Sequence, residues 1–335
     1  MSDKYHWPIF GHKQVIQFLQ NSIEQEKLAH AYLFYGSRGL GKKMIANYFA
    51  GSIFCTSTNQ KPCGQCQPCR LVSKSAYLDF YTLGKDGQEL SVDNVREFMH
   101  SLQMTNIYGN KKIAIIYNID SINIAGANAL LKTLEEPPAN THIILLSDNI
   151  NLLPATVISR CQLIKFQALK KNEMEEWISS FSFNEQECQT ILNLSFGKPG
   201  LALQLMSENL ESWKKNCNFI LKLLSSNTFN VMQTIEKWFA LLKKENPEAR
   251  TSDLGQNTRV YIDYLEVLMR DLLWIKLDKP IVNEVFQGEL SNISSSYSSE
   301  QLLSNLVRLS DYKQKLKNNV NPQLLWENIF LNLPR

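Results

Sequence analysis

Gly36-Ser37-Arg38-Gly39-Leu40-Gly41-Lys42-Lys43 follows an apolar run, Ala31-Tyr32-Leu33-Phe34-Tyr35, and precedes a helix-periodic one, Met44-Ile45-Ala46-Asn47-Tyr48-Phe49-Ala50. Strand, glycine-rich turn and helix, in that order, form the context in which a phosphate-binding loop works. Gly36, Gly39 and Gly41 let successive backbone N–H groups fold around phosphate oxygens, while the helix N-terminus and Lys42 supply positive charge. One position departs from the pattern. The residue after the lysine should be Ser or Thr, whose hydroxyl holds the Mg2+ of a nucleoside triphosphate; here it is Lys43, which has no acceptor atom. The loop is therefore expected to bind ATP or ADP weakly or not at all, with its metal site damaged.

The other half of such a metal site belongs at the end of a second strand. Ile113-Ala114-Ile115-Ile116-Tyr117 is a continuous apolar run, the pattern of a strand buried on both faces of a parallel sheet. An ATPase of this type ends that strand on an acid for Mg2+, often with a second one as base for the attacking water. This chain has Tyr117-Asn118 there, and Asp120 falls three positions too late. Two independent losses thus fall in one metal site.

Working outward, strands are expected at 79–83, 141–146 and 162–166, and helices from Ser91, over 125–136 and over 153–158. Ser91 caps the first of these helices, and Pro137-Pro138 stops the second. Strands alternating with helices across 30–166 give a parallel, doubly wound α/β domain. After 168 the strand signal ends. Short helices fit 173–178, 185–194 and 201–206, and from 208 to 335 the pattern is helical, with Trp213, Phe219, Trp238, Phe239, Tyr261, Trp274, Trp326 and Phe330 at core-like spacing. The Ser-rich run 291–299 reads as a connecting loop, and the lysines at 313, 315 and 317 as a solvated face. His12 and His30 read as packing or capping residues.

Cys55, Cys63, Cys66 and Cys69 form a tight cluster in a segment rich in Gln, Pro, Gly and Thr. Two residues separate each of the last three, so short turns can point three thiolates at one ion, with a fourth arriving from the end of the preceding helix. Four thiolates suit a closed, structural Zn2+ site. An iron–sulfur cluster uses similar spacing, but the usual fourth cysteine followed by proline is absent downstream. The seven cysteines are odd in number, with Cys161, Cys188 and Cys217 standing alone, which argues for a reducing compartment and against a disulfide framework. With no leader-like apolar core at the start and no apolar run long enough to span a bilayer, a cytoplasmic location is expected.

A net charge of +3 over 335 residues carries no strong implication. The loop between Cys55 and Cys69 holds a single lysine, Lys61, and no aromatic residue, so direct nucleic-acid binding by this module is disfavoured.

Asn128-Ala129-Leu130-Leu131-Lys132-Thr133-Leu134-Glu135-Glu136-Pro137-Pro138, followed by Ser159-Arg160-Cys161, resembles the bacterial clamp-loader subunits of DNA polymerase III. His30-Ala31-Tyr32-Leu33-Phe34 and the four-cysteine module are similar too, and the specific motifs cover roughly 7–206. The resemblance implies an AAA+ RecA-like P-loop domain over 1–167 with a zinc module at 55–69, a helical lid over 168–207 and a helical collar over 208–335 that holds a ring together. Two kinds of subunit in that family share this layout. The gamma/tau motor is an intact ATPase, whereas this chain has Lys43, Tyr117 and Asn118 in its metal site and Gly200 where the motor carries a lid arginine. What it keeps is Arg160, which in the family reaches into the ATP site of the neighbouring motor subunit. Loss of the ligands in cis with retention of the arginine in trans resembles the delta-prime branch. The implied function is a non-hydrolysing subunit of the DNA polymerase III holoenzyme, a DNA-directed DNA polymerase. It would work with the gamma/tau and delta subunits and, through the complex, with the sliding clamp and primer–template DNA. A working AAA+ motor is the alternative, and it requires Mg2+-dependent hydrolysis by the isolated chain.

Overall fold

A computed structural model describes residues 4–333 except 86–87, 89, 109–110, 208–209, 246–250 and 316–319. The chain divides into two compact units, one of Met1–Phe181 with Phe196–Leu201 and one of Ser182–Ser195 with Ala202–Arg335. The segment 168–207 is thus shared between them.

In the first unit five parallel strands, β1 (Ala31–Tyr35), β2 (Phe80–Leu83), β3 (Lys112–Ile116), β4 (Thr141–Ser147) and β5 (Gln162–Lys165), lie in the order β2-β3-β4-β1-β5. Around them run α1 (Lys13–Glu24), α2 (Lys42–Phe54), α3 (Gln67–Ser73), α4 (Val92–Gln103), α5 (Ile124–Glu135), α6 (Ala155–Ile158) and α7 (Lys171–Ser179). Side chains of a strand alternate between faces, so the continuous apolar runs feed two cores. Tyr32, Phe34, Ile113, Ile115, Ile144 and Leu146 pack with α1 and α2, through residues such as Leu19 and Phe49. Leu33, Ala114, Ile116, Ile143 and Leu145 pack on the other face with Phe98 of α4, Leu130 of α5 and Val157 of α6. Register pairs Ala31 with Ile143 and Tyr32 with Gln162, which places β1 inside the sheet. Caps follow the sequence: Ser91 accepts from the Asn94 N–H and Asn123 from the Gly126 N–H. The α/β domain is the parallel one expected, and its phosphate-loop sequence leaves the carboxyl end of β1, where open α/β sheets hold their ligands.

The second unit contains α8 (Glu185–Ser195), α10 (Leu210–Ser225), α11 (Thr228–Glu245), α12 (Thr251–Lys276), α13 (Gln287–Ser294), α14 (Ser299–Lys315) and α15 (Pro322–Leu331); α9 (Pro199–Ser207) begins in the first unit. Its aromatic residues form a core as their spacing predicts. Trp238 lies 5.1 Å from Phe219, 4.7 Å from Tyr261 and 5.2 Å from Trp326, ring centre to ring centre. Asp271 is buried and accepts hydrogen bonds from the Val282 and Asn283 N–H groups and from Asn283 Nδ2. Burial raises its carboxyl above the ordinary value against these bonds.

Two expectations fail here. The run 291–299 is half helix, because α13 extends to Ser294 and buries Leu290 and Ile293. Serine is only mildly unfavourable in a helix, so burial of its apolar neighbours decides. Lys313 is not on a solvated face: its ammonium sits between Asp263, at 2.5 Å, and Glu266. Lys317 lies outside the described residues, as does the side chain of Lys315.

Candidate functional site

The phosphate loop has its expected backbone. Gly36, Gly39 and Gly41 all have positive φ, at 143°, 87° and 86°. Gly36 is constrained twice over, because a Cβ there would stand 2.3 Å from the Phe166 carbonyl oxygen. His12 Nε2 donates to the Leu40 carbonyl at 2.9 Å, and its ring meets Phe166 edge-on at 5.0 Å. Burial holds this imidazole below its ordinary value, so it packs as a neutral ring, in line with its reading as a packing residue.

Lys42 is another matter. Its side chain is 7% exposed, and its Nζ donates to Gly36 O at 2.5 Å, Ser37 O at 3.0 Å and Asp148 Oδ1 at 2.8 Å. Asp148 directly follows β4, and its N–H donates to Asp120 Oδ1 at 3.3 Å. The lysine that sequence reading assigns to phosphate is here bonded within the chain. Where magnesium ligands would be, Lys43 Nζ lies 5.2 Å from the centre of the Tyr117 ring, and the Tyr117 hydroxyl reaches Asn47 Oδ1 at 3.4 Å. A cation lies over an aromatic face where the sequence pattern calls for oxygen donors. The N-terminus of α9 also presses on the loop: the Gly200 N–H donates to Gly39 O at 2.8 Å. A Cβ at Gly200 would come 2.9 Å from that oxygen, so this backbone approach has no room for an arginine at 200.

Arg160 follows α6 and is 33% exposed on its side chain. One terminal nitrogen donates to Thr156 O at 2.8 Å, and the other pairs with Glu135 of α5. The Arg160 carbonyl accepts from His30 Nε2 at 3.1 Å. The fold thus joins the two motifs 128–138 and 159–161. Glu135 and Asp148 were missed as partners; the only sequence signal for either is an acid at the end of a helix or a strand.

The four cysteines converge. Their sulfurs all lie within 4.8 Å of one another, with Cys66 Sγ 4.0 Å from Cys55 Sγ. Cys55 ends α2, Cys66 caps α3 and Cys69 lies in its first turn, while Gly64 at φ 70° turns the chain between them. Backbone N–H groups of Cys63 and Cys66 donate to the sulfurs of Cys55 and Cys63. Burial pushes the Cys69 thiol up, and the neighbouring Cys66 and Cys55 sulfurs push it further, whereas hydrogen bonds to Cys63 and Cys66 hold those two thiols below the ordinary value. A tetrahedral ion with bonds of about 2.3 Å would space its sulfurs about 3.8 Å apart, close to the separations here. These residues can hold one metal ion, and the donor set is compatible with structural zinc. Among the described residues, no helix is long and apolar enough to cross a membrane.

Residues 11–170 match the family described as DNA polymerase III, delta subunit. The chain is 28% identical over 326 residues to DNA polymerase III subunit delta' of Bacillus subtilis, covering 96% of this chain and 95% of that one. It is 33% identical over 218 residues to the subunit of that name in Haemophilus influenzae, covering 64% and 65%. Against subunit tau/gamma of Haemophilus influenzae it is 30% identical over 194 residues, or 58% of this chain and 27% of that protein. In structure it is similar in fold to a DNA polymerase III gamma subunit-related protein from Thermotoga maritima, with a TM-score of 0.51, 16% identity, and coverage of 96% and 99%. The match along nearly the whole chain to a delta' subunit and the family match over 11–170 both support a delta-prime clamp-loader subunit of DNA polymerase III, and the parallel α/β fold with a helical C-terminal part is consistent with them.

Proposed function

We infer that this subunit hydrolyses no ATP of its own and donates Arg160 to the ATP site of a neighbouring gamma/tau subunit as the loader places a sliding clamp on primer–template DNA. The observation that carries the first half is the Lys43–Tyr117 pair. It puts a cation and a phenol where the hydroxyl and the carboxylate would stand; the ammonium has no lone pair for Mg2+, and the Tyr117 hydroxyl is turned to Asn47.

Arg160 supports the second half by position. Its planar, permanently charged guanidinium suits contact with a phosphate, and an arginine supplied in trans stabilises charge developing on the transferred phosphoryl group. To act it exchanges Glu135 for phosphate. An exposed ion pair of that kind is worth about 1 kcal/mol or less, so the exchange is cheap. Residues 168–207 would serve as lid and 208–335 as collar, with the subunit working in the cytoplasm beside gamma/tau and delta. Cys55, Cys63, Cys66 and Cys69 would hold zinc, which supplies a cross-link and no chemistry. Gly36, Gly39, Gly41 and Lys42 would be a phosphate loop kept for its shape.

The test is steady-state hydrolysis of magnesium-ATP by the purified chain, with co-purification against gamma/tau and delta. No turnover and stable assembly are expected. Turnover that vanishes in Lys42→Ala would make the chain a motor instead.

A further inference from the structure

We propose that Asp148 keeps the phosphate loop empty, by accepting from Lys42 the hydrogen bond that a phosphate oxygen would otherwise accept. This rests on the reading of the loop as non-hydrolysing and names the group that closes it. An ammonium has three N–H donors. Lys42 directs them to Gly36 O at 2.5 Å, Ser37 O at 3.0 Å and Asp148 Oδ1 at 2.8 Å. The Lys42 side chain is only 7% exposed, so these three acceptors take up its three N–H donors in a largely buried setting. Two of the three acceptors are the loop's own backbone. The third is a full negative charge from another strand.

An incoming phosphate would have to displace that carboxylate from a buried cation and then remain beside it. Repulsion between two anions at such range is strong where water is scarce. The Asp148 N–H is bonded to Asp120, a buried acid that adds charge of the same sign beside the loop. The other parts of an anion cradle remain: the three glycines hold positive φ, and α2 runs 13 residues from Lys42. The loop is closed by one side chain rather than dismantled. Removing the charge at 148 should therefore uncover a site for a polyphosphate that does not need magnesium, since Lys43 still supplies no metal ligand.

Titration calorimetry with pyrophosphate and with ADP, without magnesium, tests this on the wild-type chain, Asp148→Asn, and Asp148→Asn combined with Lys42→Ala. Asp148→Asn should bind pyrophosphate at least about tenfold more tightly than wild type. The double variant should lose that gain. A folded Asp148→Asn chain, judged by its thermal melt, with no gain in affinity would overturn the proposal. So would wild-type affinity equal to the variant's. A measurement without any variant guards against misfolding: the Lys42 ammonium resonance of the wild-type chain should not move when pyrophosphate is added, and a saturable shift would overturn the proposal. The two readings fail separately. Magnesium-dependent ATP hydrolysis by the wild-type chain sinks the non-hydrolysing reading. An inert wild type with an Asp148→Asn chain blind to pyrophosphate sinks this one alone.

Discussion

One helix, α2, carries a motif at each end, and the two have kept opposite things. At its C-terminus Cys55 begins a module whose four sulfurs converge within 4.8 Å, so the donors that the spacing implies are brought together. At its N-terminus the phosphate loop keeps its glycine geometry, but its lysine is bonded to Asp148 and Lys43 lies over the Tyr117 ring. Local sequence suffices for the first, because every ligand lies between 55 and 69. The second depends on what distant strands deliver: the carboxylate that holds Lys42 lies 106 residues away. Spacing predicts the shape of a loop, and the second element packed against it decides what the loop can do.

The sharpest way to break this contrast is to remove one sulfur. Cys66→Ser should release about one bound zinc per chain and lower unfolding stability by upwards of about 3 kcal/mol, seen by elemental analysis and urea denaturation. Iron in the wild-type protein, or no metal after purification without chelators, would leave the cysteine end of α2 as unproductive as the other.

At the phosphate end, shape alone should matter for stability. Gly36→Ala forces a Cβ to 2.3 Å from the Phe166 carbonyl at a φ of 143°, and about 2–4 kcal/mol of destabilisation is expected in the same denaturation assay. Full stability in that variant would mean that the loop geometry is not the feature being retained.

A smaller effect comes from His12 behind the loop. Burial first of all depresses its folded-state pKa below the ordinary 6.5, against the hydrogen bond to Leu40. The unfolded chain then binds the proton more readily, so stability is complete above about pH 6.5 and is lost as pH falls toward the lower folded value. His142, depressed by burial in the same way, adds to the slope. Melting temperature should fall between pH 7 and pH 5, and His12→Asn should flatten part of that fall. An unchanged profile would detach His12 from the loop's stability.

Much of the α/β unit was legible because strands buried on both faces, such as 113–116 and 143–146, read as apolar runs with little else they could be. Ser91 and Pro137 marked helix ends for equally local reasons. What stayed hidden were pairings between distant elements. Glu135 meets Arg160 across 25 residues, and Lys313 meets Glu266 across 47, so a lysine that looked solvated is held between acids. Gly200 gave no hint that it stands against Gly39, a contact that leaves no room for a side chain there.

Arg160 carries the central claim, and its removal should cost the isolated chain little, less than about 0.5 kcal/mol, since it is a surface side chain. The decisive measurement is DNA-stimulated ATP hydrolysis by a loader reconstituted with wild-type or Arg160→Ala subunit. Assembly should be unchanged, and turnover should fall in part: one partner site loses an arginine worth on the order of 10³-fold, while motor–motor interfaces keep their own. Wild-type turnover with the variant would contradict the account and leave Arg160 as a surface residue paired with Glu135.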